Sequence, residues 1–189
     1  MATGASLNEH SMIDATAHDG SVTLWSGGTV QVRCIRPEDE PAMIRFHQTL
    51  SDSSVFFRYA GILKFDLRVA HERLARICRV DGEHELALVA EQSVPGESSP
   101  AIVAVARLAR LPGERSAEFA LVVSDRLQGQ GIGHALLARL LEAGRGWGLD
   151  RIVAQISPDN LSMRRVCRDL GFLEVGIHAS KDLRRVAVP

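Results

Sequence analysis

Apolar residues along this chain recur with two periods, and the stretches that show them alternate. Val22–Trp25 and Thr29–Ile35 flank Ser26-Gly27-Gly28. That pattern predicts a hairpin, with glycine supplying the positive φ angles of the turn. Met43, Phe46, His47 and Leu50 fall at i, i+3, i+4 and i+7, one face of a helix, and Pro37-Glu38-Asp39 opens that helix with acidic residues at its positive end. A second helix is expected with Asp66 as N-cap and Leu67, Ala70, Leu74 and Ile77 on its apolar face. Strands follow at about 85–91, 101–109 and 115–123. The last two are joined by a short loop containing Pro112-Gly113, so they are expected to run antiparallel. A long helix over about 131–146 has Ile132, Leu136, Leu137, Leu140 and Leu141 as its buried stripe. Ile152–Ile156 reads as a strand and Pro158–Leu170 as a helix with Met163, Val166, Cys167 and Leu170 turned inward and Gly171 as its stop. Leu173–Ile177 and Arg185–Val188 are the final strands. Helices grouped between strands predict an α+β, or mixed α/β, sheet domain.

Composition narrows what such a domain does. The 189 residues hold 22 Lys+Arg against 23 Asp+Glu, a net charge of −1, so there is no basic excess to grip a nucleic-acid backbone. Cys34, Cys78 and Cys167 are widely separated and odd in number, which argues against a disulfide framework or a zinc site, and no metal is expected. Residues 1–18 lack the apolar core of a signal peptide and read as a disordered extension before a single domain over 19–189. No stretch approaches the roughly 18–20 apolar residues of a membrane span. The expectation is a cytoplasmic protein with neither nucleic acid nor membrane as partner. The polar stretches 93–100 and 111–115 are short enough to be loops within the domain.

The sharpest local signal is Gln128-Gly129-Gln130-Gly131-Ile132-Gly133-His134, between an apolar strand and the long helix. Glycine lets backbone approach a ligand closely, and successive N–H groups at a helix start suit phosphate oxygens. A Walker A loop would need Lys-Ser/Thr after Gly133, where His134-Ala135 stand. A dinucleotide fingerprint starting at Gly129 would need glycine at His134, and would follow the first strand of its domain.

Gln128, Gly131 and Gly133 match Q-x-x-G-x-G, and Asn160-Leu161-Ser162-Met163 leads a helix that ends in Gly171-Phe172. In both, with the order of elements, the chain resembles the GNAT superfamily of acyl-CoA-dependent N-acetyltransferases over about residues 20–188. Ile35-Arg36-Pro37-Glu38-Asp39-Glu40, Phe57-Arg58-Tyr59, Glu85–Ala90 and Ala117-Glu118-Phe119-Ala120 look most like the catalytic domain of bacterial protein-lysine acetyltransferases. The resemblance implies a central, mostly antiparallel sheet of six to seven strands flanked by about four helices. It also implies acetyl-CoA as cosubstrate and a primary amine, a protein lysine or a small molecule, as acceptor. A homodimer is compatible with it.

The chemistry assigns roles. A lysine amine with pKa about 10.4 is almost wholly ammonium at pH 7, so a base must take its proton. Glu118, on the strand that feeds the glycine loop, is the candidate, matching the glutamate that the resembling enzymes use. Partial burial would raise its pKa toward what a general base needs. The bland alternative is a solvent-facing glutamate paired with an arginine such as Arg107. Backbone N–H groups of Leu121, Val122 and Val123 would polarise the thioester if the strand end is splayed. The loop Gln128, Gly129, Gln130, Gly131, Ile132, Gly133 and His134 would hold the pyrophosphate, and Asn160 would either bond the pantetheine arm or cap its helix. Many superfamily members place a tyrosine where Cys167 stands, and the chain's single tyrosine is Tyr59. Cys167 reads as a core residue. Arg164 and Arg165 read as a solvated helix face rather than phosphate ligands, and His47 and His71 as satisfied structural histidines. The rival to an enzyme is an acyl-CoA-binding sensor module without catalysis.

Overall fold

Among the described residues, alternating or continuously apolar stretches form eight strands, and period-3.6 stretches form helices on both faces of the sheet that those strands build. A computed structural model describes residues 18–61, 63–177 and 184–188; the expected extension at 1–18 lies outside them except for His18. The strands are β1 (Gly20–Thr23), β2 (Thr29–Cys34), β3 (Glu85–Gln92), β4 (Ala101–Arg110), β5 (Ser116–Val123), β6 (Arg151–Ile156), β7 (Leu173–Ile177) and β8 (Arg184–Val188). They form one sheet in the order β1-β2-β3-β4-β5-β6-β8-β7. Every neighbouring pair is antiparallel except β5 with β6. The mixed, mostly antiparallel architecture is the one expected, with eight strands instead of six to seven. No described helix is long and apolar enough to cross a membrane.

Helix α5 (Ile132–Gly146) lies on one face, and Ile132, Leu136, Leu137 and Leu140 are at most 1% exposed. Burying each of these side chains contributes roughly 1.5–3 kcal/mol relative to leaving it in water. Gly144 lets α5 sit close on β6, because a Cβ there would run into Ile152 Cδ1. Helix α6 (Leu161–Asp169) joins the same core through Cys167, and Phe172 just beyond it meets Phe119 edge-on at 5.3 Å.

The opposite face is covered by α1 (Glu40–Gln48), α2 (Asp52–Tyr59), α3 (Phe65–Arg68) and α4 (His71–Cys78). The α1 stripe is as predicted: Met43, Phe46, His47 and Leu50 are all buried. Two expectations are corrected. Asp66 does not cap a helix; it sits in the first turn of α3, whose N-cap is Lys64, and α4 starts afresh from Ala70. Leu67 is 57% exposed, so the apolar face read through it does not exist there. Helix α2 has no counterpart among the predicted elements. It is capped by Ser51, whose Oγ accepts from Ser54 N at 3.3 Å. On this face Arg33 of β2 binds Asp39 through two hydrogen bonds of 2.7 Å and also pairs with Glu91, tying β2 and β3 to the start of α1.

His47 is 2% exposed, and neither ring nitrogen finds a partner among the described residues. The expected satisfied histidine is therefore an unsatisfied one. Burial, reinforced by the charges of Arg68, Arg58 and Arg73, pulls its pKa from 6.5 down to about 4. Between those values the unfolded chain binds a proton that the folded chain refuses, so stability should fall as pH drops from about 6.5 to about 4. The loss expected by pH 4 is roughly 3 kcal/mol, and His47→Leu should remove that part of the slope in urea titrations across this pH range.

Candidate functional site

Strand β5 pairs with β6 only at Ser116↔Arg151, Ala117↔Ile152 and Glu118↔Val153. Beyond Glu118 the two strands part, while β5 stays paired with β4 as far as Val123. Ser124 N donates to Val103 O on β4 at 2.8 Å. By strand alternation the N–H groups of Leu121 and Val123 point the other way, into the gap, whereas that of Val122 points to β4. Of the three N–H groups named from the sequence, those of Leu121 and Val123 are thus directed into the gap between the strands and that of Val122 is not.

The chain leaves β5 through a helical turn at Asp125–Leu127 and enters the glycine loop. Gly129 (φ 70°) and Gly131 (φ 88°) are left-handed, a conformation that costs other residues about 1–2 kcal/mol. The first helical bond of α5 runs from Ala135 N to Gly131 O. Among the described residues, no acceptor meets the N–H groups of Gly129, Gln130, Gly131, Ile132, Gly133 or His134. Six successive donors with the positive end of a 15-residue helix behind them make an anion cradle. A Cβ on Gly133 would meet Leu121 and Val123 at ordinary van der Waals distances, so packing alone does not demand glycine there.

Side chains around the loop hold it in place. Gln128 Nε2 donates to Val123 O at 3.2 Å and to Ser54 Oγ at 2.9 Å, so its amide group bridges the strand end, α2 and the loop. Asp125 accepts from Ser51 N (2.9 Å), Ser51 Oγ (2.6 Å) and Ser54 Oγ (3.0 Å). Partial burial pushes the Asp125 pKa up, but the Ser51 and Ser54 bonds outweigh it, and the net shift is downward. Gln130 Oε1 accepts from Ser26 N at 3.0 Å, and Trp25 Nε1 would lie 3.2 Å from a Cβ on Gly131. The hairpin tip thus covers the loop with an indole that is 80% exposed. Sequence reasoning missed Ser51, Ser54, Asp125 and Trp25. All four act across long chain separations that no local pattern reveals.

Asn160 caps α6, its Oδ1 accepting from Met163 N at 3.1 Å. Arg164 is engaged with Pro158 O and Glu174, and Arg165 is exposed near Asp169. Cys167 is buried with its thiol pushed up to about 12, in keeping with the core reading. Among the described residues, no group of three His, Cys, Asp or Glu side chains is placed to hold a metal ion.

Glu118 is exposed, where the sequence reading expected it to be partly buried. It shares a sheet face with Val122, which packs in the core under α1, α2 and α4. Arg107 on that face pairs with Glu85 of β3, so the alternative Glu118–Arg107 pair is not formed. Loop donors, strand gap and Glu118 therefore follow one another along one strand and the turn that succeeds it.

The sequence model of the acetyltransferase (GNAT) family matches residues 55–172. The chain is 28% identical over 151 residues to acetyltransferase PA5475 of Pseudomonas aeruginosa, covering 80% of this chain and 78% of that protein. It is 27% identical over 169 residues to acetyltransferase Pat of Mycolicibacterium smegmatis, spanning 89% of this chain and 48%, about half, of that relative. The solved GNAT domain of S. lividans PAT superposes with a TM-score of 0.78 at 25% identity, covering 91% of this chain and 97% of that one. Mycobacterium smegmatis RimJ in complex with CoA-disulfide gives 0.66 at 25% identity, with 90% and 86% covered.

Asp125→Ala would leave Ser51 and Ser54 without their shared acceptor. It should lower stability by about 1 kcal/mol and speed amide exchange at residues 51–54 and 125–131 above the rest of the chain. Unchanged exchange in both segments would show that the tether does not hold the loop.

Proposed function

This chain belongs to the GNAT acetyltransferase family, and from that premise we propose that it transfers the acetyl group of acetyl-CoA directly to a primary amine, a protein lysine, with Glu118 as general base. The observation that carries this reading is the parting of β5 from β6 beside a loop of unpaired donors. The loop N–H groups of residues 129–134 receive the pyrophosphate. The N–H groups of Leu121 and Val123 face the thioester carbonyl and receive its developing negative charge. The Asn160 cap uses Oδ1 and leaves its Nδ2 donor for the pantetheine arm.

The acceptor approaches from the face of Glu118. The ammonium loses its proton to the Glu118 carboxylate, directly or through one water. The neutral nitrogen then attacks the carbonyl carbon, a C–N bond forms, the C–S bond breaks with its electron pair on sulfur, and the nitrogen's second proton passes through water to the departing thiolate or to solvent. Cys167 cannot supply a proton to that sulfur, because its thiol is buried and more weakly acidic than an ordinary one. Thiols are more acidic than alkylammonium groups, so the thiolate leaves more readily than the amine nitrogen and the step makes little demand on an acid. The same cysteine motivates the competing reading of an acyl-CoA sensor that does not catalyse.

Two variants separate these readings. Glu118→Gln should lower kcat in a CoA-release assay by roughly 10²- to 10⁴-fold while calorimetry gives an unchanged acetyl-CoA affinity. Full activity in that variant would remove Glu118 as the base. Gly131→Asp puts a carboxylate into the cradle at a left-handed position already covered by Trp25, and should abolish acetyl-CoA binding. Tight acetyl-CoA binding without CoA release across lysine peptides and small amines would favour the sensor.

A further inference from the structure

Arg58, Arg68 and Arg73 gather near the stacked Tyr59 and His47 rings, and among the described residues none of the three forms an ion pair with a carboxylate, although the Glu118 charge reaches Arg58. Arg58 of α2 and Arg73 of α4 each place their guanidinium carbon 5.0 Å from the centre of the Tyr59 ring. His47 stacks on the same ring at 6.4 Å. Arg68 of α3 is 7% exposed and donates from Nη1 to His47 O at a long 3.4 Å. The buried Nε atoms of Arg68 and Arg73 and both ring nitrogens of His47 have no partner among the described residues. None of Arg58, Arg68 or Arg73 forms an ion pair there.

This arrangement is not what folding alone favours. Buried polar atoms in native structures are almost always paired. The guanidinium groups of Arg58 and Arg73, which share one ring, lie within or near the roughly 8 Å screening length of physiological salt, so they repel one another. Burial also draws the Arg58 pKa down, and Arg107 and Arg73 add to that while Tyr59 and Glu118 oppose it. The cluster holds positive charge and unspent donors against a cost, and an anion would relieve both. Arginine's planar fork suits a carboxylate in particular. Placement connects the cluster to the reaction: α2 packs on β5, and Glu118 lies on the sheet face that α1, α2 and α4 cover.

We propose that Arg58 and Arg73, which share the Tyr59 ring, together with Arg68, which lies over Phe65 and bonds the His47 carbonyl, form an anion subsite on the acceptor side of the sheet that binds a carboxylate carried close to the reacting amine. This rests on the acetyl-transfer reading above and adds to it a substrate class, amines bearing a nearby negative charge. The carboxylate can be the side chain of an acidic residue beside a lysine, or that of a free amino acid, and the two sources are separable by assay.

The test compares acceptors in one assay of CoA release with the full chain. Lysine peptides flanked by Glu are set against the same peptides flanked by Gln, and free lysine against 1,5-diaminopentane. The expected result is at least about a tenfold higher kcat/KM for the Glu-flanked peptide, with the ratio collapsing toward one in Arg73→Gln and only partly in Arg73→Lys. A preference for free lysine alone would place the carboxylate source in a small molecule and keep the subsite. Ratios within about twofold for both pairs in the unaltered chain would overturn it. An independent readout needs no turnover: Tyr59 is the chain's single tyrosine, and its ring NMR signals should shift with added glutarate, an effect lost in Arg73→Gln. If no acceptor is turned over, a Tyr59 signal insensitive to glutarate overturns the subsite. A glutarate-sensitive Tyr59 with no CoA release would retain it and reject catalysis, so the two failures are distinguishable.

Discussion

The separation of β5 from β6 after Glu118 is the constraint on which the site depends. A strand inside a sheet ordinarily satisfies its donors and acceptors on both sides, and an unmatched buried group is costly. Here β5 runs on for five residues with a partner on one side only. The structure meets that demand partly from within. Gln128 reaches back to the carbonyl of Val123, filling with a side chain the place of a missing ladder bond. The N–H groups on the same edge stay open. A sheet that closed fully at this point would satisfy those groups and leave no gap beside the glycine loop.

The same sheet separates two environments with different tasks. Under α5 the surface is apolar and tightly packed, and α5 is fixed well enough to aim its N-terminal donors. Under α1 to α4 the packing is mixed: a smaller apolar core is bordered by ion pairs, an unsatisfied histidine and arginines stacked on a tyrosine. Rigidity is concentrated on the loop's side and polar adaptability on the other. The Ser51–Ser54–Asp125–Gln128 bonds join the two across the end of β5.

Legibility in the sequence followed the range of the forces involved. The α5 stripe, the α6 stop at Gly171 and the glycine loop were readable because each is a local pattern with a local cause: a helical period, a left-handed cap, glycines at positive φ. Cys167 was readable as core because its neighbours at helical spacing are apolar. Helix α2 was not readable. Of its Asp-Ser-Ser-Val-Phe-Phe-Arg-Tyr run, only Ser54 and Val55 are buried, so no apolar period marks it, and its anchor is a carboxylate 74 residues away. Asp66 misled for the opposite reason: a good capping residue stood in a suitable place, but the chain turned elsewhere. The exposure of Glu118 was likewise invisible, because alternation says which face a side chain takes and not whether that face is covered.

That exposure bears on the proposed chemistry. A buried base gains proton affinity from desolvation and then holds the proton it has taken, with no solvent at hand to remove it before the next cycle. An exposed carboxylate gives up that gain but returns its proton to water at once. The acceptor nitrogen must then be brought to reactivity by position more than by basicity, held close to the carbonyl with its ammonium beside a carboxylate. A chain whose formal charge nearly cancels, −1 overall, can do this only by sorting its charges locally. On the proposed reading, backbone dipoles would hold the donor's phosphates without spending any side-chain charge, which would leave the arginines around Tyr59 for the other substrate, and the overall charge reports on neither.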